Sequence, residues 1–265
     1  MYELEKETYL GNTRNIFTSG LGISVVETEY KEKVYEGWHS HNTAHLTYFL
    51  KGGTTEKRKS GSETLGPGSL LFYHSDELHL NKNTLFPSRN INIEVEDDFL
   101  KVLQLSEGMI EKSILNAVQT RFLILRIFKE TLTADSYSGD SIQMLFSQLS
   151  GSGKSLDRYP STPIWVKHIE ELLNDCWNES PTLSELSMKL QLNPVTISKH
   201  FPKYFGCTYG EYMRRLKIDR SLFLVQDQEL PLTEIAMHCG FSDQSHFIRT
   251  FKSQTVFLPR QFQKL

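Results

Sequence analysis

Apolar and polar positions change rhythm twice along the chain. In residues 1–100 they alternate: 23–29, 46–50, 70–73 and 90–95 each read as a short strand, with turn-forming clusters at 51–53, 60–62 and 66–68. Short strands at that interval predict a sandwich or barrel. From about residue 98 the period lengthens to three and four, and 99–105, 112–131 and 141–149 read as helices. Ile114, Val118, Phe122, Leu125 and Phe128 form one broad apolar face. Such a helix either lies on the barrel or pairs with a second copy of itself. Residues 151–163, GSGKSLDRYPSTP, are rich in Gly, Ser and Pro and read as an interdomain linker. Beyond them 164–177, 183–190, 194–204 and 209–225 read as helices, followed by a last helical pair.

That last pair, within 232–260, carries the sharpest pattern. Thr233 is placed to N-cap a short helix with Ile235 and Ala236 turned inward, and Gly240 ends it as a residue that takes positive φ at little cost. Phe241 plugs the turn, Ser242 or Asp243 caps the next helix, and Phe247, Ile248 and Phe251 form its buried stripe. Gln244, Ser245, His246, Arg249 and Lys252 fall outside that stripe. Their amide, hydroxyl and guanidinium groups suit base edges, so the pattern is a helix-turn-helix whose second helix enters a major groove. The ordinary alternative is an αα-hairpin with a solvated polar face.

A weaker copy at 183–201 argues against that alternative. Thr182 and Glu185 make a capping box, Asn193 caps a second helix with Pro194 in its first turn, and Ile197 and Phe201 are the buried pair. Val195, Thr196, Ser198 and Lys199 are left outside. The helix at 209–225 joins the two units. About 17 residues at ~1.5 Å each span ~25 Å, which with the helix widths at either end sets two reading helices about one DNA turn, ~34 Å, apart.

Composition adds modest constraints. A chain of 265 residues has room for about two domains. The formal charge of −3 divides into 17 − 21 = −4 for residues 1–159 and 12 − 11 = +1 for 160–265. The second half is thus weakly basic for a nucleic-acid partner, with Arg214, Arg215, Lys217 and Arg220 as its local cluster. Three cysteines without CxxC spacing and an acidic, non-apolar start predict a reducing cytoplasm and no export signal. The apolar runs are too short for a membrane span, and no P-loop, GxSxG or HExxH is present.

With these residues in view, 183–260 resembles the AraC/XylS family of bacterial transcription regulators. IAMHCGFSDQSHFIRTFK with Pro259 downstream is similar to that family's most specific stretch, and Phe205 and Gly206 followed by YMRRL match the lead into its linker helix. The resemblance implies base contacts from Val195, Ser198 and Lys199 in the first unit and from Gln244, Ser245 and Arg249 in the second. It also implies double-stranded DNA, a small-molecule effector, a second copy of the chain and RNA polymerase as partners. Two positions depart from it: Pro202 stands where a basic residue is usual, and Val256 where glycine is usual.

The family's common N-terminal partner is a cupin-like barrel, which residues 1–100 resemble faintly. His39, His41, His45 in the glutamate position and Gly52 match one cupin motif; Gly68, His79 and Asn83 match the second, with His74 and Asp76 replacing its proline and glycine. His39 and His41, two apart, point to one side of a strand. Three readings stay open: a divalent metal such as zinc, nickel or copper on His39, His41, His45 and His79; a metal-free effector pocket of Trp38, His39, His41, His45 and His79; or a barrel that only dimerises.

The expectation is therefore an α+β two-domain chain. Residues 1–150 form a cupin-like effector-sensing and dimerisation domain with helices from about 98, 151–163 a linker, and 164–265 an all-α domain of two helix-turn-helix units. The function expected is that of a cytoplasmic, sequence-specific DNA-binding transcription regulator and not an enzyme. The alternative is a cupin metalloenzyme, an isomerase or dioxygenase, fused to a helical domain; it gives no reason for the duplicated hairpins.

Overall fold

The structure is a computed structural model that describes residues 2–114, 117–149, 163–227 and 229–265. All but the last residue of the stretch read as a linker, 151–163, lies outside them. The chain divides into two compact units, Met1–Ser150 and Gly151–Leu265.

The first unit is built on one curled sheet of eight strands: β1 Tyr2–Leu4, β2 Asn12–Thr18, β3 Ile23–Tyr30, β4 His39–His41, β5 Ala44–Arg58, β6 Gly61–Leu65, β7 Leu70–Tyr73 and β8 His79–Val95. The hydrogen-bonded path runs β1-β4-β8-β3-β2, and β5 pairs with β6, β7 and β8. The C-terminal half of β8 lies between β3 and β5, with Asn92 opposite both Val26 and Thr47. That central position buries Ile91 and Ile93 completely, as two-sided pairing and facing side chains require.

The turn expected at 51–53 is instead a bulged piece of β5, which runs on to Arg58. Its register against β8 shifts between Phe49 and Lys51, Lys51 and Gly53, and Gly53 and Thr55. Gly52 has φ +77, and a Cβ there would stand 2.6 Å from Cβ of Ser88. A bulge and a turn use the same glycine conformations, so the dipeptide alone does not tell them apart. β2 escapes the alternation rule because it lies at the end of the path with mostly exposed, polar residues and no buried alternation.

Four helices follow: α1 Asp97–Val102, α2 Glu107–Ile114, α3 Ala117–Thr133 and α4 Ser138–Ser147. The single helix expected over 112–131 is thus shared between α2, which holds Ile114, and α3. Phe122, Leu125 and Phe128 of α3 are buried within the unit, as are Leu123, Ile124 and Ile127. Ile114 and Val118, the N-terminal members of the same face, are only half-buried.

The second unit is helical: α5 Ile164–Asp175, α6 Leu183–Leu190, α7 Pro194–Phe205, α8 Tyr209–Gln226, α9 Leu232–His238, α10 Gln244–Thr255 and α11 Pro259–Phe262. Ile169, Leu173, Leu186, Ile197, Phe201, Met213 and Leu216 form a core around its first half. Ile235, Ala236, Phe247, Phe251, Phe257 and Phe262 are buried in the second half, and Phe247–Phe251 and Phe251–Phe262 meet edge to face, each pair with centroids 5.6 Å apart.

Both departures from the family pattern leave a physical mark. Pro202 sits inside α7, where it lacks the N–H that would bond to the carbonyl four residues back and its ring crowds that carbonyl. Val256 ends α10 at φ +62, a left-handed conformation that a β-branched residue adopts only under strain, of order 1–3 kcal/mol. Val256→Gly is expected to stabilise the unit by about 1 kcal/mol, less than the strain because glycine also enlarges the unfolded ensemble. A urea midpoint that falls in this variant would show that the side chain's half-buried packing outweighs the strain.

Candidate DNA-reading faces and ligand pocket

The turn between α9 and α10 is held from two sides. Gly240, at φ +69, brings the backbone so close to its neighbours that a Cβ would stand 1.8 Å from the Asn178 carbonyl oxygen and 2.8 Å from Lys217 Nζ. Buried Lys217 reaches from α8 to donate to the Gly240 carbonyl at 2.6 Å, and burial holds its pKa below the ordinary lysine value. Trp177 meets His238 edge to face at 5.9 Å, and Asn178 Nδ2 donates to the His238 carbonyl. The loop between α5 and α6, which belongs to the first helix pair, is thereby docked on the turn of the second.

Local capping orders each reading helix. Asp243 caps α10, its Oδ1 accepting from the His246 backbone N–H at 2.7 Å, and this bond is the main reason the Asp243 carboxyl lies below its usual range. Thr233 is not the cap of α9, which starts after Pro231; as the second helical residue its hydroxyl donates to Gln244 Oε1 at 2.8 Å. Gln244 is therefore half-committed, with its amide nitrogen left for a partner. Ser245, Arg249 and Lys252 lie outside the buried stripe, and all three are exposed. His246 is edge-on to Phe241 at 5.3 Å, so it completes the turn plug more than the reading face.

In the first pair Thr182 and Glu185 cap α6 reciprocally, and Asn193 Oδ1 accepts from the Val195 N–H at 2.8 Å to start α7. Val195 is 70% exposed and lies on the outer face of α7 with Thr196, Ser198 and Lys199. Cys207 and Cys239 are buried, and burial pushes the Cys239 thiol up to about 12. That favours packing over redox chemistry.

In the first unit the curl of the sheet forms a partly open pocket, about 550 Å³ of empty space when the part continuous with solvent is included. β4 meets β8 at a single register pair, His39 opposite His79, so His39, His41 and His79 converge: one ring nitrogen from each lies within 4.8 Å of the others. His39 Nδ1 donates to the Gly37 carbonyl at 3.0 Å and His79 Nδ1 to the Glu77 carbonyl at 2.9 Å. A neutral imidazole that donates through Nδ1 keeps its Nε2 lone pair free, the arrangement that metal-ligating histidines use. Burial first, then the neighbouring imidazoles, lowers the pKa of His41 and lowers that of His79 to about 3. These rings are neutral at pH 7.

Two members of the expected site stand apart. His45, on β5, donates through Nδ1 to the Thr43 carbonyl at 3.2 Å and stacks on Tyr73 at 4.6 Å. It lines the pocket beside His41 but lies outside the group of three whose nitrogens converge. Trp38 precedes the inward-facing His39, is 37% exposed, and does not line the pocket. The lining residues that the sequence did not single out are led by Tyr9, Tyr73, Asn81, Asn90 and Asn92. The period-two register of 90–95 already placed Asn90 and Asn92 on one face; nothing in the sequence aimed that face at histidines about fifty residues away.

Just outside the pocket the chain makes a second polar junction. His74, the residue after Tyr73, is bonded through Nδ1 to Glu107 Oε2 of α2 at 2.6 Å, and Ser75 Oγ donates to Glu107 Oε1 at 2.6 Å. Partial burial opposes charging of His74, but hydrogen bonds with Glu107 and Glu111 prevail and raise its pKa. Among the described residues, no helix is long and apolar enough to cross a membrane.

Two helix-turn-helix units sharing a connecting helix, each with a capped second helix and an outward polar face, define the class: a DNA-binding domain. Residues 186–265 match the family model described as a helix-turn-helix domain, and together with the curated relatives this makes the C-terminal unit a domain of the AraC type. Over 151 residues the chain is 28% identical to the HTH-type transcriptional activator RhaR of Enterobacter sp. (strain 638), an alignment covering 54% of this chain and 53% of the relative. The chain spans about half the length of the curated relatives it matches. Among solved structures it is similar to the C-terminal domain of the two-component response regulator yesN from Fusobacterium nucleatum, with 31% identity, 37% of this chain and 96% of that one covered, and a TM-score of 0.35. It is also similar to an apo ToxT variant from Vibrio cholerae strain SCE256, with 17% identity, 95% and 99% covered, and a TM-score of 0.38.

Proposed function

We propose that the protein is a cytoplasmic, sequence-specific DNA-binding transcription regulator whose N-terminal, cupin-like unit binds a small-molecule effector. The observation that carries this reading is the docked pair of helix-turn-helix units, each with a capped second helix; in this reading Val195, Ser198 and Lys199 on one helix and Gln244, Ser245 and Arg249 on the other meet successive major grooves. The duplication favours it over a cupin metalloenzyme. Double-stranded DNA is the principal partner; a second copy of the chain and RNA polymerase join it on the strength of the family resemblance. The effector acts by binding two arrangements of the protein with different affinity.

Arg249→Ala tests the reading directly. On DNA selected by the full chain from a random pool, the variant is expected to bind about 1–3 kcal/mol more weakly and to lose preference at one base position. Fluorescence anisotropy on the selected duplex and its single-base variants reads both. Unchanged affinity and preference would take Arg249 off the reading face.

A second reading of the pocket is favoured by the Nδ1 hydrogen bonds of His39 and His79, which leave Nε2 atoms free to converge with His41. In this reading the three hold a divalent metal such as zinc; when bound, the ion would supply a Lewis-acidic centre for an oxygen donor. Chelator-stripped protein is expected to take up about one zinc per chain, and His79→Ala to weaken uptake roughly a hundredfold or more, judged by the scale of whole-ligand loss relative to its supporting contacts. Elemental analysis and competition with a chromophoric chelator measure both, and uptake unaffected by the substitution would place the ion elsewhere.

A further inference from the structure

We propose that His74 is a proton-operated latch that fastens α2 to the segment leading from Tyr73 to His79. It is closed while the imidazole carries a proton on each nitrogen and opens when one of them leaves.

The first observation is how the ring is held. His74 Nδ1 lies 2.6 Å from Glu107 Oε2, and His74 Nε2 lies 3.4 Å from Glu111 Oε2. The two glutamates are four residues apart on α2 and share one face of that helix, so a single helix meets both nitrogens of the ring. A carboxylate only accepts. A neutral imidazole has one N–H, and only the imidazolium offers a donor to each glutamate. Loss of a proton sets a nitrogen lone pair against a carboxylate oxygen and removes the charge that both glutamates face.

The second observation is that the surrounding charges do not replace it. Glu77, in the same turn, accepts from the His74 backbone N–H at 3.1 Å and adds negative charge. Arg58 of β5 is taken up by Glu56, Glu77 and the Phe72 carbonyl. Asp76, also in the turn, is exposed. Ser75 Oγ donates to Glu107 Oε1 at 2.6 Å, a bond that carries no charge. Burial opposes charging on both sides of the junction, yet the contacts prevail: they raise the His74 pKa and hold the Glu107 carboxyl below its ordinary range.

The segment that the latch holds is part of the pocket wall. Tyr73 stacks on His45 at 4.6 Å and lies 4.4 Å from His79, ring to ring, and residues 74–78 are the whole connection between Tyr73 and His79. That turn has two polar fastenings, Glu77 to Arg58 and His74 with Ser75 to α2. The pocket imidazoles do not share the latch's titration. Burial lowers the pKa of His39 and His41 and brings His45 to about 4 and His79 to about 3, so all four are neutral before His74 loses its proton. A histidine raised by its partners gives stability that is complete below the ordinary value, about 6.5, and is lost as pH rises through the raised midpoint. The latch is therefore closed in acid and opens toward alkaline pH.

Nuclear magnetic resonance of the full chain, labelled at histidine, measures the His74 midpoint, with the His74 signal identified by its loss in His74→Gln. Hydrogen exchange at Met109 and Ile110, whose amides donate to the Ser106 carbonyl in the first turn of α2, measures the latch after correction for the intrinsic base-catalysed rate. The midpoint is expected to stand above about 6.5 and to fall in Glu107→Gln and in Glu111→Gln. Protection at the two amides is expected to drop as pH rises through it, by about tenfold for each pH unit between the midpoint and 6.5. His74→Gln, neutral at every pH, is expected to show no such step. His74 is half-buried and Glu111 exposed, so Glu111→Gln decides the matter if His74→Gln fails to fold. A midpoint at or below about 6.5, a midpoint unmoved by both glutamine variants of α2, a wild-type protein without the step, or a full step in His74→Gln would each overturn the proposal. Neither measurement involves DNA or a pocket ligand, so the outcome is independent of the regulator reading.

Discussion

Replacing Gly240 with alanine will destabilise the second unit by about 3 kcal/mol or more and abolish specific DNA binding. Two costs add. An L-residue held in the left-handed region loses roughly 1–2 kcal/mol, and the new methyl group would lie 1.8 Å from a backbone oxygen, that of Asn178. A side chain can rotate away from a clash of that size, whereas a loop carbonyl moves only with its loop, and forced shifts in packed structure cost about 1–3 kcal/mol. Gly206 is the internal control. It ends α7 at φ +69, as Gly240 does after α9, but nothing lies within 4 Å of a Cβ built there. Gly206→Ala should cost only the conformational part, about 1 kcal/mol. Equal urea midpoints for the two variants would mean that the turn is not seated on Asn178.

Phe201→Ala will cost about 3–5 kcal/mol, the range for deleting a large aromatic from a closed core. Phe201 is fully buried at the centre of the first helix pair, stacked on Phe205 with centroids 4.2 Å apart and edge-on to Tyr209 and Tyr212 at 5.6 and 5.5 Å. Three rings anchored on two helices do not collapse into the space together, so most of the cavity persists. Phe201→Leu keeps part of the volume and should lose roughly half as much. Chemical denaturation of the full chain compares them, and an alanine variant within about 1 kcal/mol of wild type would contradict the packing described.

The helical half of the protein is largely legible in its sequence because its signals are local. The capping box of Thr182 and Glu185, Asn193 ahead of Pro194, and Gly240 all act within a few residues of where they are read. Thr233 shows the limit. It has the chemistry of a cap, but Pro231 and Leu232 begin the helix before it, and its hydroxyl finds a partner eleven residues away. The sheet is harder for the same reason. Lys51–Gly53 satisfies every local rule for a turn, and only pairing with β8, more than thirty residues distant, makes it a bulge. In the pocket, the spacing of His39 and His41 announces a shared face. The register that brings His79 to them, turns Trp38 away and sets His45 to one side is fixed by long-range pairing that no short motif encodes.

The seating of the second turn on Lys217 and Asn178 has a consequence for the DNA in the regulator reading. A connector clamped at its far end gives the two reading helices a fixed span and a fixed relative rotation. B-DNA offers no such constancy: one extra base pair between two sites turns the second by about 34–36°, from 10–10.5 base pairs per turn. A rigid protein cannot follow that rotation, so the duplex must twist or bend to restore phase. The energy of doing so depends on the steps between the sites, least for flexible pyrimidine–purine steps and greatest for stiff A-tracts. The spacer would then be selected for its mechanics, and bases that no side chain touches would contribute to the choice of operator.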